Sequence, residues 1–251
     1  MTKRIAVAGK GGTGKTTLSA LLIRYLIAKH PGKSILAVDA DANANLNEAL
    51  GLEVYSTIGT ILEDTKKPEA VPTGMTKDIF IESRLMQALV EEDSFDLLVM
   101  GNPQGPGCYC YPNDLLKRYL EKVSKNYDFM VIDNEAGLEH LSRRLLPMVD
   151  LLLVTSDASA RGVRSAKRIK DIVENVQIAV SKMGLVIGRS RAGNSTQLKQ
   201  EVEKTGLSLF GEIPDDPLVV DYDLDGKALI DLPPDSEAVK ASQQLFEALA
   251  L

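Results

Sequence analysis

Nine consecutive residues near the amino terminus constrain this chain more than any other feature: Gly9-Lys10-Gly11-Gly12-Thr13-Gly14-Lys15-Thr16-Thr17. They follow an apolar run from Arg4 to Ala8 and precede a stretch with Leu18, Leu21, Leu22, Tyr25 and Leu26 spaced three or four apart. A strand, a glycine loop and a helix in that order turn successive backbone N–H groups around a phosphate, and the helix N-terminus adds partial positive charge. Gly11, Gly12, Thr13, Gly14, Lys15, Thr16 and Thr17 are the expected cradle for ATP or ADP. Lys15 reaches the β and γ oxygens and the Thr16 hydroxyl holds Mg²⁺. Lys10 is not needed to close the turn, so it is either a solvated charge or a cation that stabilises a transferring phosphoryl group.

Beyond the loop, β-branched runs recur at Ile35 to Asp39, Asp96 to Met100, Asp128 to Asp133, Asp150 to Thr155 and Leu185 to Ile187, with amphipathic stretches between them. None alternates cleanly, which is the mark of strands buried on both faces. The expectation is an α/β fold, a doubly wound, mostly parallel sheet with helices on both faces, forming a single P-loop NTPase domain over residues 1–251. Gly51 to Asp93 is the least regular segment and reads as an insertion. Pro233, Pro234 and a cap at Asp235 or Ser236 introduce a final helix with Val239, Leu245, Phe246 and Leu249 on one side, expected to dock on the core.

The formal net charge is −6, so no global positive field holds the chain on nucleic acid or an anionic membrane. No apolar run reaches the roughly 20 residues that cross a bilayer, and no signal-peptide pattern precedes the first strand. The expectation is a cytoplasmic protein that binds neither nucleic acid nor membrane. The one basic run, Arg161 to Lys170, reads as a solvated helix face or a dock for an acidic partner.

Asp39 and Asp41 end the second strand at the same sheet edge as the phosphate loop. Carboxylates there orient an attacking water or hold water on Mg²⁺, although Asp and Asn also favour turns. Asp133 ends a third apolar run and precedes Asn134-Glu135-Ala136-Gly137. It is expected to accept hydrogen bonds from Mg²⁺ waters, with the Gly137 N–H offered to the γ-phosphate.

Both cysteines of the chain, Cys108 and Cys110, fall in a loop rich in Gly and Pro after the strand Asp96 to Met100. Buried free cysteines are ordinarily small hydrophobes, but two in one such loop suggest metal or redox use. A closed tetrahedral site needs four ligands, which a two-fold dimer supplies. Thiolates suit Zn²⁺ or an iron–sulfur cluster, and a square-planar site suits Ni²⁺. His140, beside Arg143 and Arg144, reads as a helix-surface residue, and His30 as a cation or cap at the end of the first helix.

The string GKGGTGKTT resembles the deviant Walker A motif of the MinD, ParA and nitrogenase iron-protein class, whose members dimerise face to face over ATP. Together with Cys108-Tyr109-Cys110 and the run Asp133 to Arg143, the chain resembles the CooC-type nickel-insertion ATPases that mature carbon monoxide dehydrogenase and acetyl-CoA synthase. That resemblance implies ATP hydrolysis and a homodimer, with Lys10 acting across the interface. It implies catalytic roles for Lys10, Lys15, Asp39 and Asp41, and intersubunit Ni²⁺ or Zn²⁺ on Cys108 and Cys110. It also implies a nickel-dependent client metalloenzyme, and an adenine loop at Gly211 to Asp216 that includes Pro214 and Asp215. Two positions depart from the class: Asn134-Glu135 stands where Thr-Pro is usual, and Gly188 where an Asn usually reads adenine. An iron–sulfur scaffold or ATP-dependent electron donor, and a MinD/ParA-like positioning ATPase, are the alternatives.

Overall fold

In the computed structural model, residues 1–65, 70–101, 110–135, 148–176, 178–190 and 196–251 are described, the side chains of 110–116 excepted. They form one sheet from β1 (Lys3–Gly9), β2 (Ile35–Ala40), β3 (Val90–Glu91), β4 (Asp96–Val99), β5 (Phe129–Asn134), β6 (Met148–Asp157), β7 (Ala179–Ser190) and β8 (Ser208–Pro214). The spatial order is β3-β4-β2-β5-β1-β6-β7-β8, and every pairing is parallel except that of β3 with β4. β1 therefore lies in the interior, and the carboxyl ends of the parallel strands share one edge.

Side chains alternate across the sheet and build two cores. Ile5, Val7, Ala37, Val131 and Leu153 pack under α1 (Lys15–Lys29), α2 (Leu46–Ala49) and the terminal helix α9 (Glu237–Ala248). Ala6, Ala8, Val38, Ile132 and Val154 pack under the helices of the opposite face. These are α3 (Ile58–Asp64), α4 (Lys77–Gln87), α5 (Cys110–Val123), α6 (Ala160–Asn175) and α7 (Thr196–Thr205). Covering both faces is what lets parallel strands dispense with a polar side. Among the described residues, no helix is long and apolar enough to cross a membrane.

Four expectations need correction. α1 is not amphipathic: Leu18 to Ile23, Tyr25 and Leu26 are all buried, because α2 and α9 pack around it as well as the sheet. The segment from Gly51 to Asp93 is part of a core and not an insertion upon it. Its α3 and α4, capped by the Thr57 and Thr76 hydroxyls, bury Ile58, Ile61, Leu62, Ile81 and Leu85. β7 starts six residues before the expected Leu185, through exposed Ala179, Ser181 and Lys182, so its first half lacks an apolar signature. His30 caps α1 through its backbone N–H on the Leu26 carbonyl, while its ring leans on Phe129 with centroids 5.0 Å apart. Its place is aromatic packing, not that of a solvated cation.

The terminal helix follows the expectation. The Ser236 hydroxyl accepts from the Val239 N–H, and Val239, Leu245 and Phe246 dock on the core.

Candidate functional site

The carboxyl end of β1 leads straight into the glycine loop. Gly12 and Gly14 adopt φ of 77° and 83°, left-handed angles that side-chain-bearing residues rarely tolerate. Gly14 is the residue before α1, whose N-terminus lacks a side-chain cap and leaves its N–H groups for a ligand. Gly9 answers to a different constraint, close approach: a Cβ there would sit 2.7 Å from the Thr155 carbonyl and 2.8 Å from the Thr13 hydroxyl. Thr13 closes the loop through its hydroxyl, 2.7 Å from the Lys10 carbonyl and 2.7 Å from the Thr155 hydroxyl at the end of β6. Lys10, Gly11 and Gly12 are exposed at the loop tip, whereas Lys15 is buried.

Behind the loop sit two buried carboxylates on adjacent strands, Asp39 and Asp133, whose Cα positions pair in register. The Thr16 hydroxyl donates to Asp133 Oδ2 at 2.7 Å. Asp133 Oδ1 and the nearby Ser19 hydroxyl are buried without a hydrogen-bond partner. Burial pushes the Asp133 carboxyl up to about 7 against the Thr16 hydrogen bond, with the Asp39 charge adding to the rise and Lys15 opposing it. Asp39 is pushed up to about 6 by burial, held back by the N–H groups it accepts.

Those N–H groups give Asp39 a structural job. Its Oδ1 accepts from Asp41 N at 2.9 Å and its Oδ2 from Leu46 N at 2.9 Å, so it shapes the whole turn that follows β2. Asp41 closes the same turn by accepting from the backbone and side-chain amides of Asn43 at 2.8 and 3.1 Å. Ala44 within it takes a φ of 53°, a strained angle for alanine. Asn134, which the sequence marks only as a departure, is a clamp: its buried amide donates to the Val7 carbonyl at 2.8 Å and ties the end of β5 to β1.

The other half of the cleft is apolar. Leu18, Leu21, Val186, Ile213, Pro214 and Val219 line it, with Gly188 and Arg189 at its wall and Asp215 at its mouth. A Cβ on Gly188 would lie 2.9 Å from the Thr13 carbonyl, so the bare backbone is what lets the phosphate loop seat against β7. The residue that organises this half is one that sequence reasoning missed. Asp216 is buried; it caps α8 (Pro217–Leu224) by accepting from Leu218 N at 3.0 Å, and its other oxygen accepts from the Ser236 hydroxyl at 2.6 Å and Ala238 N at 3.0 Å. Its signal was the Asp-Pro pair, a helix cap followed by proline in the first turn.

Cys108, Gly137 and His140 lie outside the described residues, as does the side chain of Cys110, whose backbone opens α5. Among the described residues, no group of three His, Cys, Asp or Glu side chains is arranged to hold a metal ion. The oxygen set of Thr16, Asp133 and its unpartnered Oδ1 nevertheless fits Mg²⁺, a hard cation that keeps several waters and takes few protein ligands.

Residues 5–230 match the CobQ/CobB/MinD/ParA nucleotide binding domain. The chain is 42% identical to an ATP-binding protein of Methanocaldococcus jannaschii, over 98% of this chain and 97% of that one. It is 32% identical to the carbon monoxide dehydrogenase accessory protein CooC of Rhodospirillum rubrum, over 70% of each chain. Among solved structures, MinD of Pyrococcus horikoshii in complex with Mg-ADP superposes with a TM-score of 0.73 at 22% identity, covering 99% of this chain and 96% of that one. MinD of Aquifex aeolicus superposes with a TM-score of 0.72 at 24% identity, covering 99% and 97%. The chain therefore belongs to the CobQ/CobB/MinD/ParA family of P-loop nucleotide-binding proteins and is an ATP-binding NTPase of the MinD/ParA type.

Proposed function

We propose that this protein is an ATP-hydrolysing metallochaperone that delivers nickel to a metalloenzyme of the carbon monoxide dehydrogenase or acetyl-CoA synthase type. The observation that carries the reading is the Cys108-Tyr109-Cys110 pair, in a chain 32% identical to the accessory protein CooC. The loop holding the pair leaves β4 at the carboxyl edge that also carries the phosphate loop and the Asp39 turn. A shape change on nucleotide turnover at that edge is therefore one loop away from the thiols.

Lys15 and the N–H groups at the start of α1 neutralise charge on the β and γ phosphates. Thr16 and Asp133 would hold Mg²⁺, which supplies charge stabilisation at the transferred phosphoryl group. The turn shaped by Asp39 and closed by Asp41 is placed to fix an attacking water. Lys10, exposed at the loop tip, is free to reach a nucleotide on a second subunit. Two subunits closing over ATP would bring four thiolates together, and hydrolysis would release both the interface and its nickel cargo.

Anaerobic native mass spectrometry with Ni²⁺, with and without ATP, tests the reading on the parent chain and on a Cys108→Ala, Cys110→Ala variant. One metal per dimer, favoured by nucleotide and lost in the variant, is the expected result. A metal-free monomer that still hydrolyses ATP overturns it. The second reading, a positioning ATPase, is favoured by 32% identity to the maintenance of carboxysome distribution protein A of Synechococcus elongatus, over 76% of this chain and 73% of that one. Against a membrane-bound version of it, the apolar face of α9 is already occupied by the core.

A further inference from the structure

The basic run picked out in the sequence forms α6, and its construction is at odds with helix stability. Val163, Ala166, Ile169 and Val173 turn inward, which leaves Arg161, Arg164, Lys167 and Arg168 exposed. Between Arg161 and Lys170 there are five cations and no carboxylate. Arg161, Arg164 and Arg168 fall at i, i+3 and i+7, one stripe along the helix, where like charges repel each other. The first turn contains Arg161 and no acid, so its charge also opposes the helix dipole.

Neighbours relieve only part of this. Arg164 pairs with Glu201 at 3.3 Å, Lys167 with Asp171 at 2.9 Å and Lys170 with Glu174 at 3.9 Å. Arg161 and Arg168 make no ion pair among the described residues. Local rules are broken in this way where a surface is kept for something other than stability.

The stripe is also wired to the nucleotide. Ser159 caps α6 by accepting from Gly162 N at 3.0 Å, and its own N–H donates to Asp157 Oδ1 at 3.0 Å. A Cβ on Gly162 would strike the Asp157 carboxylate and lie 2.7 Å from the Ser156 hydroxyl, so the first turn sits tightly on the end of β6. Two residues before Asp157, the Thr155 hydroxyl is bonded to Thr13 of the phosphate loop.

We propose that the outer face of α6 docks a carboxylate-rich segment of a partner protein, held by Arg161, Arg164 and Arg168. Guanidinium groups pair with carboxylates in a bidentate fork, and about 10 Å separates the ends of the stripe, the span of a short acidic segment. A polyanion such as duplex DNA needs a longer basic track, and Asp171, Glu174 and Glu201 border this one with repelling charge. The inference does not depend on the metal reading, since it concerns a different surface and invokes no thiol.

A fluorescent poly-glutamate peptide is the probe, titrated against the ATP-loaded protein, with random-sequence duplex DNA and phosphatidylserine vesicles run in parallel. The peptide is expected to bind with an affinity that falls with salt, and to protect residues 160–170 from hydrogen exchange. An Arg161→Gln, Arg168→Gln variant is expected to bind it about tenfold more weakly, the loss of one charge-assisted contact. Its basal ATP hydrolysis should be unchanged and its thermal midpoint no lower than that of the parent. Arg161→Lys, Arg168→Lys should restore part of the binding, and Lys199→Gln, Lys204→Gln on α7 should leave it intact. Equal peptide affinity in parent and variant, tighter Arg-dependent binding of DNA or vesicles, or a lowered midpoint in the variant would each overturn the proposal.

Discussion

The two ends of the nucleotide cleft are held by different physics. At the phosphate end, charges are buried: Lys15, Asp39 and Asp133 lie within a few residues of one another on β1, β2, β5 and α1, fixed by hydroxyls and backbone N–H groups. At the base end, the wall is aliphatic and backbone, and order comes from one carboxylate, Asp216, that pins the starts of two helices 20 residues apart. The first end is built for chemistry and stores electrostatic cost. The second is built for shape, and its carboxylate is a stabilising one. Substitutions at the two ends should therefore fail in different ways.

The largest effect belongs to Lys15→Ala. It removes the buried cation beside Asp133 and leaves the fold's apolar contacts in place. ATP hydrolysis, followed as phosphate release, should fall by about a thousandfold or more, with circular dichroism unchanged. A retained rate would remove the phosphate end from the chemistry altogether.

Next comes Gly9→Ala, which is a packing fault and not a charge fault. The new methyl would meet the Thr155 carbonyl at 2.7 Å, and backbone cannot swing aside as a side chain can. Overpacking of this kind costs about 1–3 kcal/mol, readable by urea denaturation. Gly12→Ala, with open space around it but a φ of 77°, should cost about 1 kcal/mol through strain alone.

How legible each end was in the sequence follows from its physics. The phosphate loop is one contiguous string whose order of strand, turn and helix carries its own meaning. Asp133 and Asp39 were legible because each ends an apolar strand. Asp216 was not, since two of its three partners are Ser236 and Ala238, and a bond over 20 or 22 residues leaves no local pattern. β8 escaped for a related reason: it is an edge strand, its first four residues at least partly exposed, so it lacks the doubly buried signature of its neighbours. α1 was legible as a helix but not as an enclosed one, because enclosure depends on α9, more than 200 residues on. Asn134 reads as an oddity in one dimension and as a strand clamp in three.

Titration should separate the two ends by sign. Asp133 and Asp39 are raised to about 7 and about 6, so their contribution to stability is fully present below the unfolded value near 3.8 and is lost as pH rises through 6 to 7. Asp216 is lowered: burial raises it, but hydrogen bonds from Ser236, Ala238 and Leu218 outweigh that. Its contribution is present above about 4 and is lost as pH falls through its folded value. In the absence of Mg²⁺ and nucleotide, Asp133→Asn should therefore gain on the parent between pH 5 and 8, as measured by urea midpoint. Asp216→Ala should be about 2 kcal/mol less stable than the parent at neutral pH, the worth of a cap and a buried charged hydrogen bond, with the gap closing in acid. Parallel pH profiles for the two variants would erase the distinction.

The smallest effect tests where the two ends touch. Gly188 is the point at which the base wall meets the phosphate loop, with the Thr13 carbonyl 2.9 Å from where a Cβ would stand. Thr13 cannot retreat freely, because its hydroxyl is bonded to both Lys10 and Thr155. Gly188→Ala should thus shift the loop by a few tenths of an ångström and leave the cores untouched, since nothing else but the Ser156 carbonyl, at 3.9 Å, lies close to the new methyl. The expected result is a weakening of ADP binding by about fivefold, near 1 kcal/mol, with a urea midpoint close to that of the parent. Removing the tether at the same time, in Thr13→Ser, Thr155→Val, should give part of that affinity back by letting the loop yield. If Gly188→Ala binds ADP as tightly as the parent, the two ends are mechanically independent, and the bare backbone at β7 needs no steric reason.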